Sequence, residues 1–311
     1  MQNRRQFIGT FLGAVGAGCL AMPLAALATV PPGSLHVASN QYPWFTFYQR
    51  RGNSWTDNLD KSLKEFSRSG ITGYEPAINN VAEIRALAPL LKQNRLEMRS
   101  LYLNSTLHQP EQAEESIALA LAIAREAQPL GVKIMVTNPS PIRWGSPEDK
   151  TDDQLRFQAS ALDRLGAELR RLGLTLAYHT HDMEMRQGAR EFHHMLQATD
   201  PQHVTFCLDA HWVYRGAGNS QVALFDVVRM YANRITELHL RQSKNGIWTE
   251  VFGEGDIDYP RLVRELAGRG VRPHVVLEQS VEKGSPDTLT AVDAHRKSLQ
   301  YTRKVFAPLA G

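Results

Sequence analysis

Cysteine is nearly absent from this chain of 311 residues: Cys19 and Cys207 are the only two. One bridge at most could form, so a fold stapled by disulfides is excluded. Long apolar runs are also missing. No uninterrupted stretch of 20 apolar residues follows residue 30, so the body of the chain does not read as a membrane-spanning helix. Strong charge of one sign is lacking as well. The 35 Lys and Arg nearly balance the 32 Asp and Glu, leaving +3, too little and too evenly spread for a nucleic-acid partner. No Gly-x-Gly-x-x-Gly follows the first strand candidate, which argues against a dinucleotide-binding open sheet. What remains is 42% hydrophobic and 22% charged, the make-up of an ordinary globular protein. The length suits one large α/β barrel or two modest domains.

Residues 1–28 read as an address. A basic start, a Gly- and Ala-rich apolar middle and an Ala26-Leu27-Ala28 end have the form of a secretory signal. Arg4 and Arg5 ahead of Phe7 and Ile8 sharpen this to a twin-arginine signal. The expectation is export to the periplasm by the twin-arginine machinery, with residues 29–311 as the mature domain and no stable membrane insertion after processing. Losing residues 1–28 removes two arginines and no acids, leaving a charge near +1 and Cys207 as a lone thiol. That route carries folded proteins, which suits one that loads a metal before export.

Strand-like and helix-like segments alternate through the rest. The strand candidates are Leu35–Ser39, Ile71–Glu75, Leu96–Leu103, Val132–Thr137, Leu174–His179, Val204–Asp209, Ile235–Leu240 and His274–Glu278. Between them, Leu59, Leu63 and Phe66 mark one helical face, and Leu155, Leu162, Leu165 and Leu169 another. Thr151 with Gln154 predicts a capping box at the start of the second. Ile117–Ala124 predicts a largely buried helix, and His193-His194 an exposed helical pair. Eight strands alternating with helices predict a single α/β domain, a (β/α)₈ TIM barrel.

Active sites of such barrels collect at the C-terminal ends of the strands. Here those ends carry Glu75, then His179 and His181 with Glu184 after them, then Asp209, His211 and Trp212, then His239 and Arg241, then Glu278. Imidazoles and carboxylates converging from neighbouring strands suit one divalent metal ion such as Mn²⁺, Zn²⁺, Co²⁺ or Fe²⁺. Alternate residues of a strand share a side, so His179 and His181 predict one inward pair and Asp209 and His211 another. Any one of these histidines is ordinarily a hydrogen-bonded structural residue; His179, Asp209, His239 and Glu278 together point to a metal. Trp212 could stack on a sugar ring or simply pack. Arg241 could hold a carboxylate, phosphate or ketone oxygen. Cys207 reads as a small hydrophobe inside a strand. The Gly253–Asp256 turn could rim the site.

At these residues the sequence resembles the xylose isomerase-like barrels, in particular the sugar phosphate isomerase/epimerase group. The likeness is carried by Tyr178–Glu184, Leu208–Val213 with Gly216 and Gly218, Arg234–Leu240, Gly253–Tyr259 and Val276–Gln279, in order along essentially the whole mature chain. It implies one divalent metal held by His179, Asp209, His239 and Glu278. The strand-five ligand is commonly a glutamate in that family; the ungapped match puts His179 there, with His181 two residues on as the other candidate. Of the two glutamates that family epimerases place on opposite faces of the substrate, only Glu278 remains. His181, Glu184 or His179 would then supply the second base. The family's frequent His-Leu-Lys-Asp is His239-Leu240-Arg241-Gln242 here.

The resulting expectation is a metal-dependent isomerase or epimerase acting on a sugar or keto-sugar through an enediolate. In it Glu278, His181 and Glu184 are the catalytic candidates, and Glu75, His211, Trp212 and Arg241 the substrate-binding ones. The alternatives are a dehydratase or lyase on an oxidised sugar or inositol derivative at the same site, and a non-catalytic sugar-binding barrel. A DNA-directed endonuclease is disfavoured by the charge. Export favours an unphosphorylated substrate. Relatives often pair, so a homodimer is an open expectation.

Overall fold

Strand β1 (Val37–Asn40) runs without a loop into helix α1 (Gln41–Arg50). Asn40 makes this possible: its extended backbone ends the strand while its Oδ1 accepts the Tyr42 N–H at 2.7 Å and caps the helix. A computed structural model describes residues 35–310; the export signal read in residues 1–28 lies outside the described residues.

From α1 the elements alternate as the sequence pattern requires. They are α2 (Leu59–Ser67), β2 (Gly73–Glu75), α3 (Val81–Asn94), β3 (Ser100–Ser105), α4 (Pro110–Ala127), β4 (Ile134–Pro139), α5 (Asp152–Arg171), β5 (Thr175–Tyr178) and α6 (Arg186–Gln197). Then come β6 (Val204–Asp209), α7 (Ala210–Gly216), α8 (Gln221–Tyr231), β7 (Ile235–Leu240), a small hairpin of β8 (Ser243–Lys244) and β9 (Ile247–Trp248), α9 (Tyr259–Gly268), β10 (His274–Leu277) and α10 (Ala291–Phe306). Eight strands pair in parallel in the order β2-β1-β10-β7-β6-β5-β4-β3. The two ends of that order are joined through Ile78 N–H to Tyr102 O and Tyr102 N–H to Pro76 O, both 2.9 Å. The sheet therefore closes on itself: the fold is a single (β/α)₈ barrel.

One irregularity bears on the site. Phe206 of β6 lies opposite Ile235 of β7, but Cys207 lies opposite Glu237. The extra residue in β7 resets the register and sets Asp209 beside His239.

The main core lies between sheet and helices. Leu155, Leu162, Leu165 and Leu169 of α5 are all buried there, and both bonds of the Thr151–Gln154 capping box form. Ile117, Ala120, Ile123 and Ala124 of α4 are buried likewise. Inside the barrel, Val136, Ala177 and Cys207 form a small separate apolar cluster, so Cys207 packs as a hydrophobe. His193 and His194 depart from the sequence reading: both are half-buried, and His193 Nδ1 lies 2.8 Å from the Tyr231 hydroxyl.

His295 of α10 is buried, stacks on Trp44 at 4.1 Å and donates from Nδ1 to Ala291 O. Burial pulls its pKa down to about 4. The unfolded chain therefore binds a proton below about pH 6.5 that the folded chain refuses. Stability is full above that value and falls as the pH drops toward 4, by about 2 kcal/mol between pH 7 and 5. Thermal melts of His295→Phe should show a shallower loss over that range than wild type; parallel losses would contradict this.

Candidate active site

The C-terminal ends of four strands bring their polar residues to one mouth. His179 follows β5, its N–H making the last ladder bond to Thr137 O at 2.8 Å. Asp209 ends β6, His239 lies near the end of β7, and Glu278 follows β10. All four are buried, and one ligand-type atom from each lies within 4.8 Å of the others. His239 occupies the centre. Its Nδ1 is 3.2 Å from Glu278 Oε2, and its Nε2 is 3.1 Å from Glu75 Oε2 and 3.2 Å from Glu237 Oε1.

Two observations test whether a cation fits. The first is the set of orphaned atoms. Both ring nitrogens of His179 and Asp209 Oδ2 are buried without a hydrogen-bond partner, which is costly unless something else pairs them. Asp209 Oδ1 is spent on capping α7, accepting the His211 and Trp212 N–H groups at 2.9 Å, so Oδ2 is the oxygen left over. The second is charge. Four carboxylates (Glu75, Asp209, Glu237 and Glu278) are buried around His239, with the Arg241 guanidinium as the fixed cation among them. Burial disfavours a charged His239, yet the surrounding acids, Glu75 and Glu278 among them, outweigh it and raise its pKa. Burial pushes the Glu75 carboxyl up, against the pull of His239. A divalent ion at His179, Asp209, His239 and Glu278 would satisfy Asp209 Oδ2 and one ring nitrogen of His179 and balance this negative charge.

Arg241 is built in. It is almost wholly buried, its guanidinium 4.9 Å from the Trp212 ring centre and 4.4 Å from that of Trp248. Nε donates to Glu278 O at 3.0 Å and Nη2 to Glu278 Oε2 at 2.9 Å, while Nη1 has no partner. Burial raises the Glu278 carboxyl, but Arg241 and then His239 outweigh it, so Glu278 is held below its usual range. A cavity of about 760 Å³ opens above this floor, in the range of small-molecule sites. His179, His181, Trp212, Arg241 and Glu278 all reach its wall. The pairing of His179 with His181 thus holds, with ring centres 4.9 Å apart. Burial, then His179, takes the His181 pKa down to about 3, so the ring is neutral.

Three sequence candidates are placed differently. Glu184 does not face the cavity. Its carboxylate accepts the His181 N–H at 2.7 Å, Asn138 Nδ2 at 3.1 Å and the Thr180 hydroxyl at 3.4 Å; it holds the loop that presents His181. Glu184→Gln should therefore lower stability by about 1–3 kcal/mol and kcat by less than about tenfold. A general base would lose 10² or more. Steady-state kinetics and a thermal melt separate the two. His211 lies buried beneath the mouth, against Trp248 and Tyr214, because α7 begins at Ala210 and the strand alternation stops with Asp209. Glu75 sits behind His239, fixed by Asn40 Nδ2 at 2.7 Å, and does not line the cavity.

Sequence reasoning passed over Asn40, Tyr42, Tyr102, Trp144 and Arg186 on the cavity wall. Asn40 was findable, one residue beyond the first strand candidate. Glu237 was too, since it lies two residues before His239 and so on the same side of β7. Two motif glycines gain a physical reason. A Cβ at Gly216 would lie 2.7 Å from Met185 Cβ, and one at Gly255 would lie 2.2 Å from Ser243 O. Both permit close approach of loops around the mouth.

Fold and site define a (β/α)₈ barrel with a candidate metal centre at its mouth. The family model of the xylose isomerase-like TIM barrel matches residues 63–305, and the chain belongs to that family. An inosose dehydratase of Clostridium perfringens is 20% identical over 273 residues, 78% of this chain and 90% of the relative. One from Lacticaseibacillus casei is 24% identical over 259 residues, 73% and 85%. Among solved structures, an L-ribulose 3-epimerase aligns with a TM-score of 0.68 at 14% identity, over 88% of this chain and 95% of that one. A xylose isomerase-like TIM barrel protein from Mycobacterium smegmatis in complex with magnesium gives 0.68 at 14%, over 91% and 100%.

Proposed function

We propose that the protein is a divalent-metal-dependent enzyme that moves a proton at the carbon next to a carbonyl of a sugar or polyol derivative, as an isomerase or epimerase of keto-sugars. The observation that carries this is the four-residue cluster with orphaned His179 and Asp209 atoms at the floor of a cavity. A divalent ion held there supplies Lewis acidity toward a carbonyl oxygen. The chain's own residues do the rest. Glu278, kept ionised by Arg241 and His239, accepts the carbon-bound proton at Oε1 or Oε2. Arg241 Nη1 donates a hydrogen bond to a substrate oxygen. His181, neutral and on the wall, can exchange a proton on another side of the substrate. Trp212 closes that side and shields the site from water.

A second reading is elimination of water from an oxidised sugar or inositol derivative. Glu278 is the only glutamate among the described residues of the cavity wall, the other carboxylate there being Asp182, whereas the family's epimerases place a metal-bound glutamate on each face. The inosose dehydratase relatives lean the same way. An unphosphorylated substrate agrees with the arginines of the wall. Arg186 is tied to Asp149 and Ser146 O, Arg241 is tied to Glu278 with only Nη1 free, and no lysine among the described residues lines the cavity. It also agrees with the proposed export. Incubation with keto-sugars and inososes in heavy water, with Mn²⁺ supplied, tests the reading. Deuterium entering a carbon position is expected; an unchanged backbone mass marks isomerisation and a loss of water marks elimination. No exchange with any of them would contradict both.

A further inference from the structure

The cavity extends well beyond the metal-type cluster, and its outer half is made of different residues. His179 and Glu278 lie at the floor; Tyr42, Trp144, Pro147 and Met183 form an outer wall. Trp144 is 53% exposed and Tyr42 is 45% exposed. Large rings left open at the edge of a cavity are the kind of apolar surface that marks a contact site. Neither ring sits on a slack loop. Tyr42 belongs to the first turn of α1, held by the Asn40 cap, and stacks on Phe45 at 6.2 Å. Trp144 precedes Gly145, whose φ of +74° makes the turn. The loop behind it is pinned by Arg186, 2.9 Å from Ser146 O and 2.7 Å from Asp149. The Trp144 ring meets His181 edge-on at 5.2 Å, so the outer wall continues directly into the floor.

Size points the same way. At about 760 Å³ the cavity lies in the upper part of the range of about 300–1,000 Å³ that holds drug-sized ligands. A single six-carbon sugar seated at the floor leaves the outer rings uncovered.

We propose that the substrate is a glycoside whose reacting ring is a keto-sugar, with that ring at the floor and a second ring, joined through the glycosidic bond, lying on Trp144 and Tyr42. This rests on the reading of the floor as a sugar site. Indole and phenol faces pack well on both aromatic rings and the C–H faces of sugars, so the second ring is an aromatic aglycone or a second sugar. Binding alone tests it, without turnover. The metal-loaded protein is titrated calorimetrically with methyl, 4-nitrophenyl and disaccharide β-glycosides of glucose and of galactose, each oxidised to a ketone in the reacting ring.

Two-ring ligands should bind about tenfold more tightly than the methyl glycoside of the same sugar. Trp144→Ala and Tyr42→Ala should remove that advantage and leave methyl-glycoside affinity unchanged; Trp144→Phe should keep most of it. Which of the 4-nitrophenyl and disaccharide arms gains more identifies the second ring. Methyl and two-ring glycosides binding alike, or an advantage that survives both alanine variants, would overturn this proposal alone. No binding by any glycoside, together with no deuterium exchange, would overturn the floor reading as well.

Discussion

His239→Ala is expected to abolish metal binding and proton-exchange activity together, with exchange falling on the order of 10³-fold or more, at least about 4 kcal/mol of barrier. The size of the effect follows from the position of the ring. Nδ1 faces Glu278 and Nε2 faces Glu75 and Glu237. Removing it deletes one of four metal-type groups and also strands two buried carboxylates beside each other. Breaking a buried charge pair in this way costs about 3–5 kcal/mol, so the melting temperature falls too. His239→Gln separates the two effects, because its amide can still donate to Glu75 or Glu237. It should recover part of the stability and little of the activity. A variant that folds, lacks metal and retains full exchange would contradict the assignment.

Gly255→Ala is expected to lower stability and activity together, although the residue touches neither metal ligand nor substrate. The added Cβ would sit 2.2 Å from the Ser243 carbonyl oxygen and 2.6 Å from Gln242 Cγ and Cδ. A backbone carbonyl cannot rotate away as a side chain can. The segment is also stitched down: Asp256 N–H donates to Ser243 O at 2.8 Å, and Gln242 bonds to Gly253 O, Ile257 O and Ile257 N–H. Relief of the clash must therefore move the stretch that follows Arg241. Overpacking of this kind costs about 1–3 kcal/mol, or roughly 3–10 °C in a chain of this length. A displacement of about 1 Å at Arg241 and Glu278 would lower kcat about 10²-fold. Differential scanning fluorimetry with steady-state kinetics reads both; an unchanged melting temperature would show that the loop has room.

The barrel was legible because its elements are regular. Alternating runs such as Val204–Asp209 and Ile235–Leu240 match the observed strands to the residue, and the Thr151 cap forms as its spacing predicts. The four-residue cluster was legible because strand ends in a closed parallel barrel must converge. What failed was side-chain direction beyond the last paired residue. His211 turned away because Asp209 starts a helix rather than continuing a strand, and Glu184 turned inward because loop N–H groups needed an acceptor. Trp144 lies on a loop, where no periodicity reports which way a residue faces, and Arg186 is the first residue of α6, ahead of the helix's apolar pattern. Glu237 was legible only by its parity with His239: it lies inside β7, short of the strand end, and the β6–β7 irregularity that brings it opposite Cys207 leaves no mark in the sequence pattern.

His179, Asp209, His239 and Glu278 are proposed to form one divalent-metal site at the barrel mouth. Its most direct test is equilibrium binding of Mn²⁺, followed by electron paramagnetic resonance, in wild type and in His179→Ala and Asp209→Ala. One tightly bound ion per chain is expected in wild type, with loss of that ion in both variants while the fold, checked by circular dichroism, is retained. Wild type that binds no ion, or variants that bind it with undiminished affinity, would contradict it.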